Sequence, residues 1–192
     1  MKLFKHVLTI GGLTFVISVL LNISSTAALA LSPLHISFLL LFFIVLIGII
    51  FDIIAVAAAA GQEAPFHAMA TDRVPGAKQC VWLVRNADRV STFCGDIVGD
   101  IAGTISGATA AAIIYQLIIT NPQLNEGILN TVLLGLVAAL TVGGKAAGKS
   151  FAINRSTDIL YVVGRMIYAF EKMRPNQKKK SKQNKRINKK SK

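Results

Sequence analysis

Three aspartates in this 192-residue chain lie inside stretches of sequence that are otherwise apolar. Asp52 lies in the second such stretch, and Asp96 and Asp100 lie four residues apart near the start of the third. Because residues at i and i+4 share one face of a helix, Asp96 and Asp100 should lie side by side, and Thr104 extends their polar stripe by one turn. An ionised carboxylate inside a bilayer costs at least ~2.5 kcal/mol. Aspartates at such positions therefore indicate a functional site.

The chemistry that these side chains could perform is cation binding. Hard divalent cations prefer oxygen ligands, and magnesium takes one or two carboxylates together with water and other oxygens. We expect the three aspartates to share a depth in the inner half of the membrane, where Thr104 would complete the ligand set. Coupling to protons or sodium would use the same residues, so the sequence leaves the ion open. The alternative is that the aspartates are protonated or form structural ion pairs with basic residues of other segments. Those basic residues are Lys145, Lys149 and Arg89.

A ladder of glycines flanks Asp96 and Asp100 at four-residue spacing. Small residues let a neighbouring membrane helix approach closely, so the ladder predicts helix packing beside the acids, either within the chain or in a homodimer. The ladder consists of Gly95, Gly99, Gly103 and Gly107.

The composition predicts the elements that must position these residues. The chain is 53% hydrophobic and only 16% charged, which is typical of a small polytopic membrane protein rather than a soluble domain. We predict an all-α protein with about four transmembrane helices. The apolar stretches long enough to cross a bilayer are roughly 7–30, 36–60, 93–119 and 127–143.

The distribution of Lys and Arg predicts the orientation. The loops around residues 32–35 and 121–126 contain neither residue type, whereas the N-terminus contains Lys2 and Lys5, and the loop 61–92 and the C-terminal part contain both Lys and Arg. By the positive-inside rule both termini are cytoplasmic in a multi-pass protein of the inner or plasma membrane. Residues 1–35 are alternatively a signal peptide or anchor, since Lys2 and Lys5 precede an apolar run that ends in Ala28-Leu29-Ala30.

Two further helices are expected on the cytoplasmic side of the bilayer. Residues 77–93 read as an amphipathic helix, and residues 159–170 show apolar residues at helical spacing after an N-terminal signal at Ser156-Thr157-Asp158. Both should lie in the membrane interface without crossing it.

The C-terminal segment 172–192 carries eleven of the 21 Lys and Arg residues and no acid, and therefore +11 of the net charge of +12. A segment of this composition should not fold alone. We expect it to contact anionic lipid headgroups, or an unknown regulatory partner, and to bind no specific nucleic acid because it lacks aromatic residues for stacking. The expected headgroup contacts are Lys178, Lys179, Lys180, Lys182, Lys185 and Arg186.

Residues 143–150 match the phosphate-binding loop pattern G-x-x-x-x-G-K-[ST]. That loop requires a preceding strand and a βαβ setting, and this segment follows a membrane helix. We therefore interpret the glycines as the cytoplasmic end of the last span and not as a nucleotide site.

The same stretch, with Gly144, Lys149 and Ser150, resembles the signature that ends the last span in the CorB/CorC and cyclin M family of magnesium transporters. Across about residues 36–171 the chain is similar to the transmembrane domain of that family in the order and spacing of its segments. The resemblance implies magnesium binding between the spans, and export. Lys145 stands where the family has an acid and Gly148 where it has proline. Aspartates stand in place of serine and asparagine ligands: one alignment pairs Asp96 with the first asparagine, and another pairs Asp100 with it and Thr104 with the second. The family's CBS-pair and C-terminal cytosolic domains have no counterpart in the sequence.

These observations predict transport of a divalent cation, with magnesium as the expected ion and no tightly bound cofactor. The alternative is a non-transporting scaffold or degenerate family member that acts by helix assembly and through its tail. No enzyme is expected, because the three histidines are scattered and no nucleophile–base pair is recognisable.

Overall fold

The structure, a computed structural model, describes residues 2–30 and 32–173, and every regular element in these ranges is a helix. Among the described residues the prediction of an all-α fold is therefore confirmed. The helices, with one π-helical segment between the fifth and sixth, are α1 Lys2–Ala30, α2 Leu34–Ala60, α3 Glu63–Thr71, α4 Ala77–Arg85, α5 Ala87–Ser91, the π-helical segment Thr92–Val98, α6 Gly99–Thr120, α7 Glu126–Asn154 and α8 Ser156–Met173.

Three stretches in the described part of the chain are long and apolar enough to cross a membrane. They are α2, the continuous helical run from Ala87 to Thr120, which we call the α6 run, and α7. The predicted first span coincides with α1, in which the described residues contain the shorter apolar stretch Gly11–Ser25. The described part of the chain thus contains three candidate spans where the sequence predicted about four, and the first span stays a prediction.

α2 and α6 run antiparallel and touch closely along their length. A Cβ added to Gly48 would lie 3.1 Å from the Cβ of Ala102, and one added to Gly95 would lie 3.4 Å from the Cβ of Ala55. As the residue number rises along α2, the number of its partner falls along α6. These two contacts fix the register between the helices.

α7 runs parallel to α2 and packs against its neighbouring face. A Cβ added to Gly148 would lie 2.7 Å from Cγ1 of Ile53, and one added to Gly144 would collide with Ile49. The residue numbers of the two contact partners rise together along α2 and α7. These helices therefore run in the same direction, and α6 runs in the opposite one. This is the alternation that three successive spans require.

The segment 143–150 lies inside α7, which continues to Asn154. The helix therefore does not end at these glycines, and the level at which the last span meets the inner surface stays a prediction. Gly144 and Gly148 do not terminate the helix, because they provide the close contact with α2 and because neither has a positive φ angle. A helical backbone also lacks the phosphate-binding loop that the sequence pattern suggested.

α3, α4 and α8 pack at the C-terminal end of α2 around a small apolar core. Phe66, Cys80 and Leu160 are fully buried there, and the Cys80 thiol donates a hydrogen bond to the carbonyl of Leu160 at 3.2 Å. Gly76, with φ +93°, passes directly against the backbone of α8, where a Cβ would lie 2.9 Å from Arg165 Cα. This layer holds α8 across the end of the bundle.

Of the two predicted interface helices, one begins where the sequence predicted and the other is interrupted. α8 begins at Ser156, as predicted, and continues to Met173. The predicted helix 77–93 is interrupted, because α4 ends at Arg85 and the Asn86 side chain donates to the carbonyl of Trp82 at 2.8 Å. The chain then continues through α5 and the rest of the helical run to Thr120, a candidate membrane span, without a loop.

Candidate functional site

Asp52 of α2 faces Lys145 of α7 inside the bundle. Lys145 Nζ lies 4.0 Å from Asp52 Oδ1, and the two side chains are 24% and 14% exposed. The second carboxylate oxygen, Asp52 Oδ2, is buried and has no hydrogen-bond partner. The carboxylate is therefore only half satisfied by protein groups, at a position where an unpaired charge is costly.

The packing of α7 on α2 brings this pair together. Gly144 has no side chain and sits against Ile49, one turn before Asp52 on the same helix. The next residue of α7, Lys145, is thereby brought to the level of Asp52. A larger residue at position 144 would separate the two helices and the two charges.

The Lys145 ammonium also lies beside α6. A Cβ added to Gly99 would be 3.5 Å from Lys145 Nζ, so the ammonium sits between α2 and the start of α6. Gly99 directly precedes Asp100 and follows Asp96 by three residues. The cation is thus close to the backbone that carries both remaining aspartates.

The other three predicted ligands lie on an exposed face of the α6 run. Asp96, Asp100 and Thr104 are all exposed, and the Thr104 hydroxyl donates to the carbonyl of Ile101 at 2.9 Å. The described residues contain no group of three or more His, Cys, Asp or Glu side chains arranged to hold a metal ion. The predicted four-ligand set is therefore divided here between the part-buried Asp52 and an exposed stripe.

Asp96 lies in the π-helical segment Thr92–Val98, a feature that the sequence analysis missed. π-helical turns are rare and are frequently found at functional sites. Ser91, just before the segment, donates to the carbonyl of Ala55 on α2 at 2.9 Å, and Gly95 packs on the Cβ of the same residue. The π-helical segment therefore contacts α2 about one turn after Asp52.

The glycine ladder has two different halves. Gly95 and Gly99 are used inside the chain, against α2 and beside Lys145, whereas a Cβ added to Gly103 or Gly107 would meet nothing within 4 Å. Of the signature residues, Gly144 packs on α2, while Lys149 and Ser150 are exposed on α7. The predicted headgroup contacts Lys178, Lys179, Lys180, Lys182, Lys185 and Arg186 lie outside the described residues.

A second cluster of charges, which the sequence analysis did not identify, joins α3 to α4 outside the candidate spans. Glu63 Oε2 accepts hydrogen bonds from Arg85 Nε at 2.8 Å and lies 3.0 Å from His67 Nε2. The hydrogen bonds from His67 and Arg85 hold the pKa of Glu63 below its ordinary value. The spacing of Glu63 and His67 at i and i+4 could have suggested their contact, but the tertiary contact with Arg85 has no local signature.

Comparison of the chain with protein-family models, with curated proteins and with solved structures finds no match. The resemblance to the CorB/CorC and cyclin M family therefore stays a prediction.

Proposed function

We propose that this protein is a membrane transporter for a divalent cation, with magnesium as the first candidate, and that Asp52 is the core of its ion site. The observation that carries the proposal is the half-satisfied carboxylate. Asp52 Oδ2 is buried without a partner, while Oδ1 faces only a loose ion pair at 4.0 Å. A cation with hydration waters would satisfy both oxygens.

Lys145 acts in this proposal as a tethered cation that competes for Asp52. When the transported ion binds, the ammonium leaves Asp52 and moves along α6 to Asp96 or Asp100, next to the Gly99 backbone that it already approaches. The flexible lysine side chain can make such a movement without displacing a helix. Exchange of two cations at one carboxylate avoids leaving a bare charge in the membrane at any stage.

The membrane setting of the proposal follows the charge distribution. The α3, α4 and α8 layer would lie on the cytoplasmic side, with both termini inside, in the inner or plasma membrane. Val162, Met166 and Phe170 form an exposed apolar stripe at four-residue spacing on α8, which suits a helix immersed in the inner leaflet. The basic tail that follows would contact anionic headgroups.

The test of the site is magnesium-dependent thermal stabilisation of the purified protein. A ligand at one hundred times its Kd stabilises the folded state by about 2.7 kcal/mol, which corresponds to roughly 5–10 °C for a chain of this size. We expect this shift in the parent protein and its loss in Asp52→Asn. Asp88→Asn is the matched control, because Asp88 is an exposed aspartate on α5 outside the site. An equal shift in Asp52→Asn would remove Asp52 from the site.

The scaffold is the second candidate, and a specific observation favours it. The open positions at Gly103 and Gly107 leave one face of α6 ready to pack against another helix, such as that of a second copy. On this account the Asp52–Lys145 pair is structural. A scaffold would tolerate loss of cation binding and would fail when Gly103→Leu blocks assembly. A transporter would fail when cation binding is lost and would tolerate Gly103→Leu.

A further inference from the structure

In the part of the chain that the structure describes, two hydroxyl groups are buried in the bundle without a partner. The side chains of Ser37 on α2 and Thr109 on α6 are 0% exposed, and neither hydroxyl oxygen has a hydrogen-bond partner. Thr120, Thr131 and Thr141 instead donate to the carbonyl four residues earlier in their own helices, at 2.8 Å. Hydroxyls in membrane helices normally form that bond, so the two buried exceptions require an explanation.

The helix register aligns both hydroxyls along the α2–α6 contact. The pairs Gly48–Ala102 and Gly95–Ala55 bring Thr109 level with residue 41 of α2, and Ser37 lies about one helical turn further on. At 1.5 Å per residue, Thr109 is about 16 Å and Ser37 about 22 Å from the level of Asp52. The two hydroxyls therefore lie between Asp52 and the end of the bundle where α2 begins.

Two further hydroxyls lie at levels between Thr109 and Asp52. Ser106 on α6 is 2% exposed and donates to the carbonyl of Gly103, and its register with α2 brings it one turn closer to Asp52. Thr141 on α7, one turn before Lys145, is part-buried. The hydroxyl column, as we name Ser37, Thr109, Ser106 and Thr141, thus follows the contact of three helices to the candidate ion site.

We infer that the hydroxyl column is the hydrated route by which a partly hydrated cation passes between Asp52 and the α2 N-terminal end of the bundle. This inference rests on the proposed function for its cargo. Neutral hydroxyl oxygens can replace water ligands around a cation, or hold the waters that accompany it, without trapping it as a carboxylate does. Buried polar groups without protein partners are the sites where internal water binds.

α2 and α6 pack closely at Gly48 and Ala102, between the column and Asp52, where a Cβ added to Gly48 would lie 3.1 Å from the Cβ of Ala102. An ion from this end must pass that level on the side of α7, where Thr141 lies, or the two helices must separate. The opposite end of the site has no such constriction at Asp96 and Asp100, which are exposed. The route through the column is therefore the closed side of the site in this structure.

Chemical labelling tests the hydration of the column without relying on transport. In a Cys80→Ala/Cys94→Ala background, Thr109→Cys in proteoliposomes is treated with 2-aminoethyl methanethiosulfonate, a small reagent that reacts with hydrated thiolates. Ala152→Cys is the matched control, because Ala152 is also 0% exposed and lies in the apolar core at the C-terminal end of α2, away from the column. We expect Thr109→Cys to react at least tenfold faster. Equal, slow reaction of both thiols would overturn the inference, since it would show that the column is dry.

A second pair of variants tests whether the hydrated column is the route. Thr109→Val keeps the shape of the side chain and removes the hydroxyl, and we expect it to reduce cation flux at least tenfold while thermal stabilisation by magnesium at Asp52 is retained. Thr109→Ser should restore the flux. Unchanged flux in folded Thr109→Val would overturn the route. If the parent protein bound no cation at all, the proposed function would fail, while the labelling contrast between Thr109→Cys and Ala152→Cys would still decide the hydration of the column.

Discussion

Replacement of Lys145 by methionine should tighten cation binding, because it removes the charge that competes for Asp52. Methionine keeps the length and apolar stem of the side chain, so the packing of α7 on α2 is preserved. Two unit charges 4.0 Å apart interact by about 4 kcal/mol at the effective dielectric of 20 that suits protein sites and by about 1 kcal/mol in water. Each 1.4 kcal/mol is a factor of ten in affinity. Lys145→Met should therefore lower the magnesium Kd by between about fivefold and about a thousandfold.

The same substitution should lower stability when no cation is present. Removal of one partner from a largely buried ion pair typically costs about 3–5 kcal/mol, because the remaining charge is uncompensated. The double variant Asp52→Asn/Lys145→Met removes both charges and should recover most of that loss. This opposite behaviour of affinity and stability distinguishes a competing cation from a group that merely supports the fold.

The assay is a magnesium titration of the thermal unfolding midpoint, with Kd obtained from the concentration dependence. Lys149→Met is the matched control, because Lys149 lies one turn further along α7 and is exposed. It should leave both the Kd and the stability in the absence of cation nearly unchanged. A folded Lys145→Met protein that binds magnesium with unchanged or weaker affinity would refute the competition between Lys145 and the transported ion.

Three further predictions test the packing and the surface. Gly148→Leu should destabilise the protein by about 1–3 kcal/mol through overpacking, because its Cβ would meet Ile53. Gly143→Leu should not, because a side chain at position 143 points into open space. Equal unfolding midpoints of the two variants in denaturant titrations would contradict the α2–α7 register. Gly103→Leu should weaken self-association in chemical cross-linking if the open face of α6 joins two copies, and an unchanged dimer fraction would exclude that face. Glu63→Gln should reduce the loss of thermal stability that the parent protein shows at acid pH. The pKa of Glu63 is lowered in the folded protein, so its ionised carboxylate contributes stability that is complete above the ordinary pKa and is lost as the pH falls below about 4.3. A parent and variant with the same acid profile would show that this charge cluster contributes nothing.

The sequence predicted those parts of the fold that depend on local pattern. The apolar stretches that became α2, the α6 run and α7 are long enough to be recognised without any partner, and the Ser156-Thr157-Asp158 signal marks the start of α8. Local pattern failed where a tertiary contact decides the structure. Gly144 and Gly148 were interpreted as the cytoplasmic end of the last span, and no local signal indicated that their missing side chains serve the contact with α2.

The residues of the contact between Asp52 and Lys145 were predictable from the sequence, but the geometry of the contact was not. The cost of a carboxylate in an apolar stretch identified Asp52, and Lys145 was named as a possible partner, but only the parallel register of α2 and α7 brings the two within 4.0 Å. The π-helical segment that carries Asp96 has no sequence signature and depends on contacts at Ala55. Asp96 and Asp100 are both exposed, and whether they share one face and take part in binding stays a prediction.

The central claim is that Asp52 is the core of a cation transport site, and magnesium flux tests it most directly. The purified protein would be reconstituted into liposomes that contain a magnesium-sensitive dye, and uptake would be compared between the parent and Asp52→Asn, with Asp88→Asn as the control. We predict saturable magnesium uptake by the parent and by Asp88→Asn, and uptake by Asp52→Asn no greater than that of empty liposomes. Equal uptake in all three proteins, or a parent that does not exceed empty liposomes, would contradict the claim.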